Sequence, residues 1–192
     1  MTGLLELDEQ LFHWINGSWS NPVLDYIVPY WRHKLMWIPL YVFILCFIGI
    51  NFRSRAFLMC IGILLTTTMS DVSSSHIIKK SVERLRPCNT PDIRKDMTLR
   101  VRCGSGYSFT SSHATNHFAV AWIVIFLLGK RWRWIKWPLL IWAGTISLGQ
   151  VYVGVHFPLD IICGAMLGYF CAFLGYRGYL YLDKVFGQKA IT

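Results

Sequence analysis

Carboxylates are scarce in this chain of 192 residues: ten Asp and Glu stand against nineteen Lys and Arg, a formal net charge of +9. Charge of either sign is also thin, at 15% of residues, while 54% are hydrophobic and the mean hydropathy is +0.42. Hydropathy of that size excludes an ordinary soluble domain, and several apolar runs approach the ~20 residues that carry a helix across a bilayer. The cations gather at the ends of those runs. Positive-inside bias and attraction to anionic headgroups therefore account for the charge, and nucleic acid is excluded as the expected partner. The six cysteines form no CxxC pair. Cys46, Cys60, Cys163 and Cys171 lie inside apolar runs and read as packing residues, whereas Cys88 and Cys103 bracket one polar loop. The N-terminus, "MTGLLELDEQ", lacks the basic stretch and small-residue cleavage site of a secretory signal.

What is present is an all-α integral membrane pattern: about five to six transmembrane helices plus an N-terminal amphipathic helix, in a single domain over 1–192. Residues 3–16 alternate acidic and apolar positions at near-helical spacing and predict a helix lying in the interface, broken by "GSWSNP". Residues 22–33 carry Pro22 and Pro29 and read as re-entrant or surface-lying, with a further span as the alternative. Spans are predicted near 34–52, 55–80, 112–129, 134–153 and 158–182, giving a helical bundle over 34–183 with a polar loop at 86–110. The basic links at 53–55 and 129–136, together with Arg177, Lys184 and Lys189, assign one side to the cytoplasm. The acidic residues Glu6, Asp8 and Glu9 then fall outside. So does the segment 79–102, although it holds eight basic and three acidic residues. Cations on that side make sense if they bind something anionic.

Three polar clusters share that outer side. Lys79, Arg84 and Arg86 stand where an apolar helix ends, in "KKSVERLRP". Alone, they would be snorkelling cations. In "TSSH", Ser111 or Ser112 can cap the next span, whose free N–H groups form an anion site beside His113. The positive helix end disfavours a protonated His113, and a bound phosphate would reverse that preference. In "GQVYVGVHFPLD", Pro158 suits the first turn of the last span, and Asp160 can reach back to His156. A carboxylate on one ring nitrogen fixes the tautomer and leaves the other nitrogen as nucleophile or base. Cations, a helix N-terminus and two histidines on one face suit phosphoryl transfer through a phosphohistidine.

These stretches resemble the signature of the type 2 phosphatidic acid phosphatase superfamily, the membrane branch of the acid phosphatase and vanadium haloperoxidase group. Its three motifs are Lys-x6-Arg-Pro, Pro-Ser-Gly-His and Ser-Arg-x5-His-x3-Asp. Lys79 to Arg86-Pro87 fits the first in full. Ser111 and His113 fit the second, with Thr110 for proline and Ser112 for glycine. His156 and Asp160 fit the third, with Gly149 and Gln150 for serine and arginine. The resemblance implies that His156 attacks phosphorus, Asp160 orients it and His113 protonates the leaving oxygen. Lys79, Arg86, Ser111, Ser112 and Gln150 would bind phosphate oxygens, with neither metal nor cofactor. Gln150 brings no charge, so Arg84, Arg100 and Arg102 are the candidate replacements. The implied activity is hydrolysis of a lipid phosphate or diphosphate at the outer face of a bacterial inner membrane. The substrate would be a polyprenyl diphosphate, phosphatidylglycerol phosphate, phosphatidic acid or a lipid A type, with a lean towards polyprenyl diphosphate or broad specificity. A lipid phosphotransferase and a non-catalytic lipid-phosphate binder share these features. A zinc hydrolase built on His113, His117, His156 and Asp160 is a further reading, though "HATNH" lacks the glutamate of the usual zinc helix.

Around these clusters, Asp71, Ser75 and Lys79 form one stripe, with Asp71 expected to support the pocket through a lysine or histidine. His76 reads as an interfacial ring and His117 as a support or packing residue. Gly164, Gly168 and Ala172 form a small-residue stripe for close helix packing. Cys88 and Cys103 are expected to form a disulfide in an oxidising compartment, holding Arg100 and Arg102 near the site. Closing a loop of about 16 residues contributes roughly 3 kcal/mol. Peptide mapping without reductant should recover Cys88 and Cys103 in one cross-linked species; two alkylatable thiols would refute the pairing.

Overall fold

The computed structural model describes residues 2–186, so Lys189 lies outside the described residues. Every regular element among them is helical: α1 (Thr2–His13), α2 (Pro22–Trp31), α3 (Ile38–Phe52), α4 (Ala56–Val72), α5 (Lys79–Val82), α6 (Pro91–Asp96), α7 (Ser112–Leu128), α8 (Lys136–Tyr152) and α9 (Pro158–Phe186). A π-helical turn, Ser73–Ile78, joins α4 to α5 without a break. The five expected apolar segments thus coincide with α3, the α4–α5 rod, α7, α8 and α9. By length and hydropathy the stretches Lys34–Asp96 and Pro158–Phe186 suit a membrane crossing, and Ser112–Leu128 is a shorter apolar helix.

The bundle is organised around α7, which packs most extensively on α9 and then on α8 and α4. Missing side chains make that first contact possible. A Cβ on Gly164 would sit 2.8 Å from the Ser111 carbonyl oxygen, and one on Gly168 would sit 2.4 Å from that of Thr115. Ala172, on the same stripe, is fully buried. Small residues therefore let the two backbones approach as the sequence stripe predicts. The turn between α3 and α4 meets the end of α9 through Arg55 and Asp183 (3.5 Å). A surface cavity joins Lys130, Arg133 and Lys136 to Tyr176 of α9, so the basic links share one end of the bundle. The three polar clusters lie at the other end.

The N-terminal region forms a helix that ends within "GSWSNP". Residues 2–18 are helical throughout, because a π-helical turn, Trp14–Ser18, carries the helix past Gly17. Its leucines form the outer face, and one of its acids turns inward. Leu4, Leu5, Leu7, Leu11 and Trp14 are exposed, while Asp8 and Asn16 are buried beside Phe12 and Ile15. Asp8 faces inward because it has partners there. Its Oδ2 accepts from Arg84 Nη2 at 2.6 Å, and its Oδ1 accepts the Leu159 N–H at 2.7 Å, capping the start of α9. The Asn16 amide donates to the carbonyls of Thr98 and Tyr152 and accepts the Thr98 N–H. Phe12 packs on Phe157 with ring centroids 5.4 Å apart. The segment 22–33 is a ten-residue helix, about 15 Å long and too short to span. Asn21 caps it by accepting from the N–H groups of Val23 and Leu24.

The loop between α5 and α7 is fastened by the Cys88–Cys103 disulfide, with a Cα–Cα distance of 6.0 Å. Asp8 links α1, this loop and α9, and its loss leaves Arg84 half-paired and the Leu159 N–H without an acceptor. Breaking a buried ion pair by removing one partner costs about 3–5 kcal/mol. Asp8→Ala should therefore lower the thermal unfolding midpoint in detergent clearly, with Asp8→Asn milder because it keeps an acceptor. An unchanged midpoint for Asp8→Ala would show that this link does not hold the N-terminal helix.

Candidate active site

At the end opposite the basic links, the loop Val153–Phe157 connects α8 to α9 and carries His156, which is 2% exposed. Pro158 opens α9, and Asp160 sits in its first turn with the carboxylate turned back toward the loop. Asp160 Oδ2 accepts the Phe157 N–H at 2.8 Å and lies 3.4 Å from His156 Nδ1. Asp160 Oδ1 accepts from Arg84 Nη1 at 3.0 Å. The Ser108 hydroxyl donates to Oδ2 and lies 3.3 Å from His156 Nδ1. On the other side of the ring, Arg86 Nη1 is 3.3 Å from Nε2. An arginine N–H can only donate, so Nε2 accepts, and the ring proton belongs on Nδ1 facing the carboxylate. Burial pulls the His156 imidazole down to about 4, reinforced by the charges of Arg86 and Lys79 and opposed by Asp160. The ring is thus neutral near pH 7, with a lone pair on Nε2.

His156 lines a cavity of about 530 Å³ whose wall is cationic: Arg32, Lys79, Lys80, Arg86 and Arg102 all border it. Lys79 Nζ donates to the carbonyls of Tyr107 (2.8 Å) and Ser108 (3.2 Å), which anchors its stem against the loop. Arg86 donates to the carbonyls of Gly106 and Val155. Burial draws its guanidinium below the ordinary value, and Asp160 counters that pull. The start of α7 forms the remaining wall. Ser111 is the N-cap and accepts the Ala114 N–H, while the Ser111 N–H donates to the Asp160 carbonyl at 3.0 Å. Ser112 and His113 border the cavity, and Ser112 Oγ is 2.9 Å from Ser75 Oγ. A cationic, concave site beside a neutral imidazole is equipped to hold a phosphate against a nitrogen nucleophile.

Ser112 and His113 also border a second cavity of about 670 Å³, apolar and lying between α3, α4 and α7. Tyr41, Leu45, Phe57 and Leu64 line it, and the last three are exposed on the bundle's outer face. His113 therefore stands at the junction between an apolar groove and the cationic pocket.

The other expected residues divide between the cavity and its surroundings. Gln150 borders the cationic cavity, but its Oε1 accepts from Arg32 Nε at 3.0 Å. Of the three candidate replacement arginines, Arg102 borders the cavity. Arg84 is committed to Asp8 and Asp160 and lies over the Phe157 ring. Arg100 is held by Asp25 and by the carbonyls of Asn16 and Tyr152, where it ties α2 to the end of α8. Asp71 lines the apolar groove and accepts from Asn116 (2.9 Å) and Ser75 (3.4 Å), so its partners are an amide and a hydroxyl rather than a lysine or histidine. His117 is buried in the groove wall, its ring stacked 6.2 Å from His113 and edge-on to Trp142. His76 is exposed. Among the described residues no group of three metal-ligating side chains converges.

Sequence reasoning missed three residues: Asp8, Arg32 and Ser108. Ser108 was the most accessible, since it lies two residues before the hydroxyl run Thr110–Ser112. Nothing local marks Asp8 or Arg32, whose roles come from helices packed far from their own stretch of sequence.

The PAP2 superfamily profile matches residues 55–184. The lipid A 4'-phosphatase of Bacteroides thetaiotaomicron is 36% identical over 176 residues, covering 90% of this chain and 77% of that protein. The undecaprenyl-diphosphatase of Sulfolobus acidocaldarius is 30% identical over 154 residues, covering 80% and 68%. A crystal structure of a transmembrane PAP2 type phosphatidylglycerolphosphate phosphatase from Bacillus subtilis matches with a TM-score of 0.72 at 22% identity, covering 97% of this chain and 90% of that one, and shares its fold. The matched span takes in all three polar clusters, and this chain belongs to the PAP2 superfamily.

Proposed function

We propose that this protein is a lipid phosphatase that cleaves the terminal phosphate of a membrane lipid through a phosphohistidine on His156. The observation carrying this reading is the junction at His113, where an apolar groove open to the bundle's side meets a cationic pocket. A phosphorylated lipid fits both halves at once, its chains in the groove and its phosphate among Lys79, Arg86 and Arg102. Nε2 of His156 would attack phosphorus as the bond to the lipid oxygen breaks, and His113 would give that oxygen its proton. The imidazole's Nδ1–H stays paired with Asp160, which stabilises the cationic phosphohistidine. His113, now a base, would take a proton from the water that attacks the P–N bond, releasing inorganic phosphate and restoring both rings.

Five membrane crossings, by α3, the α4–α5 rod, α7, α8 and α9, belong to this reading. The basic links then face the cytoplasm, and the pocket faces the outer side of an inner membrane, within one domain. The sequence leans towards polyprenyl diphosphate or broad specificity. The 36% identity to a lipid A 4'-phosphatase, extending over 90% of this chain, shifts the preference to a lipid A-type phosphate. A polyprenyl diphosphate remains the second reading, supported by the undecaprenyl-diphosphatase relative.

Phosphate release from a panel of lipid A, undecaprenyl diphosphate, phosphatidylglycerol phosphate and phosphatidic acid tests both levels. His156→Ala should lower release by at least about 10³-fold on every substrate that reacts. Unchanged release would eliminate the phosphohistidine route. Fastest turnover of undecaprenyl diphosphate would overturn the lipid A preference. Activity should persist in strong chelators and be blocked by vanadate.

The nucleophile must be neutral, and its folded value is depressed below that of a free imidazole. The acid limb of kcat/KM should therefore fall near pH 4 rather than near 6.5. An acid limb at 6.5 that persists in His113→Asn would show that His156 is not held neutral by its burial.

A further inference from the structure

The third motif departs from its pattern at two adjacent positions, Gly149 and Gln150, and a single arginine from another helix meets both. Arg32 follows α2 and borders the cationic cavity together with Gln150, His113 and His156. Its Nε donates to Gln150 Oε1 at 3.0 Å. Among the described residues it makes no ion pair, and its other guanidinium nitrogens make no hydrogen bond. This half-buried cation therefore borders the cationic cavity without a carboxylate to neutralise it. Burial and the charge of Arg86 draw it down to about 10, so it remains protonated at neutral pH.

The position of Arg32 depends on what residues 149 and 150 are. A Cβ on Gly149 would come within 3.2 Å of Val28 Cγ1, a tight contact, and 3.5 Å of Arg32 Cβ, an ordinary one, so the glycine leaves room for α2 to lie close to α8. An arginine at 150 would set a second guanidinium against Arg32, whereas the glutamine carbonyl accepts its Nε–H. The end of α2 is fastened independently: Trp31 Nε1 donates to Thr145 Oγ1 of α8 at 3.1 Å. Glycine for space and glutamine for an acceptor are both what an arginine arriving from α2 requires.

We propose that Arg32 is a phosphate-binding residue of this site, supplying from α2 the guanidinium that position 150 does not, with Gln150 as its positioning residue. The proposal rests on the lipid phosphatase reading above. Gln150 fixes Nε and leaves both terminal nitrogens to meet two phosphate oxygens, a geometry a lysine cannot reproduce. The charge forming on those oxygens in the transition state would be stabilised by a group already in place.

The test begins with wild type and His156→Ala on the lipid panel, which settles the phosphatase reading by itself. Arg32→Ala should lower kcat/KM by about 10²–10³-fold, the range for removing one donor of this kind. Guanidinium ion at millimolar concentration should restore part of the loss, and Arg32→Ala/Gln150→Arg should regain at least about tenfold over Arg32→Ala. A merely structural Arg32 would answer to neither. Arg32→Met keeps the stem against α8 and removes only the charge, so it replaces Arg32→Ala if that variant does not fold. Vanadate binding to Arg32→Met, read without turnover, should weaken at least about tenfold. The proposal is overturned if a folded Arg32 variant keeps kcat/KM and vanadate affinity within threefold of wild type. It is equally overturned if lost activity responds to neither guanidinium nor Gln150→Arg.

Discussion

The buried carboxylate of Asp160 is the constraint on which the rest of this structure depends. A charge held at 0% exposure is costly unless every oxygen is engaged. Here one oxygen takes the Arg84 guanidinium, and the other takes the Ser108 hydroxyl and the Phe157 N–H while facing His156. Those partners come from the long loop and from the turn that begins α9. Satisfying one carboxylate therefore draws separate parts of the chain to a single point. Arg84 passes the constraint outward to Asp8, whose second oxygen caps α9. The N-terminal helix is thereby built into the active end, with its leucines turned out.

The small-residue crossing of α7 and α9 serves the same centre. Because Gly164 and Gly168 bring the helices close, the first turn of α7 meets the first turn of α9, and the Ser111 N–H reaches the Asp160 carbonyl. The proposed acid, His113, thus starts from a helix whose position is fixed against the helix bearing the carboxylate. The same placement puts His113 where the apolar groove opens into the cationic pocket. In the proposed reading, a single helix start then faces both the phosphate and the lipid oxygen that leaves it.

Much of this was legible in the sequence because its signals are local. Apolar runs mark α3, the α4–α5 rod, α7, α8 and α9, since hydrophobic composition is read directly from each stretch. Ser111 as a cap, Pro158 at a first turn and the spacing of His156 to Asp160 all act within a few residues. Asp8 departed from its local pattern for a physical reason. An acidic and apolar alternation predicts acids facing water, and nothing in the local pattern reveals that Asp8 has Arg84 and a helix N-terminus waiting inside. Nothing in its local sequence singled out Arg32, and Arg100 looked like a pocket residue because its loop contains pocket residues.

The sequence by itself determined the helical membrane character, the three polar clusters and the family pattern with its departures at Thr110, Ser112, Gly149 and Gln150. Hydrophobic periodicity, capping and short spacings need no knowledge of what packs where. Tertiary structure alone decided which of the loop arginines borders the cavity. It also decided that Asp8 lies inside, and that a guanidinium from α2 occupies the space beside Gln150. These are properties of helix docking, in which a glycine at 149 and an acceptor at 150 take their meaning from a helix more than a hundred residues earlier in the chain.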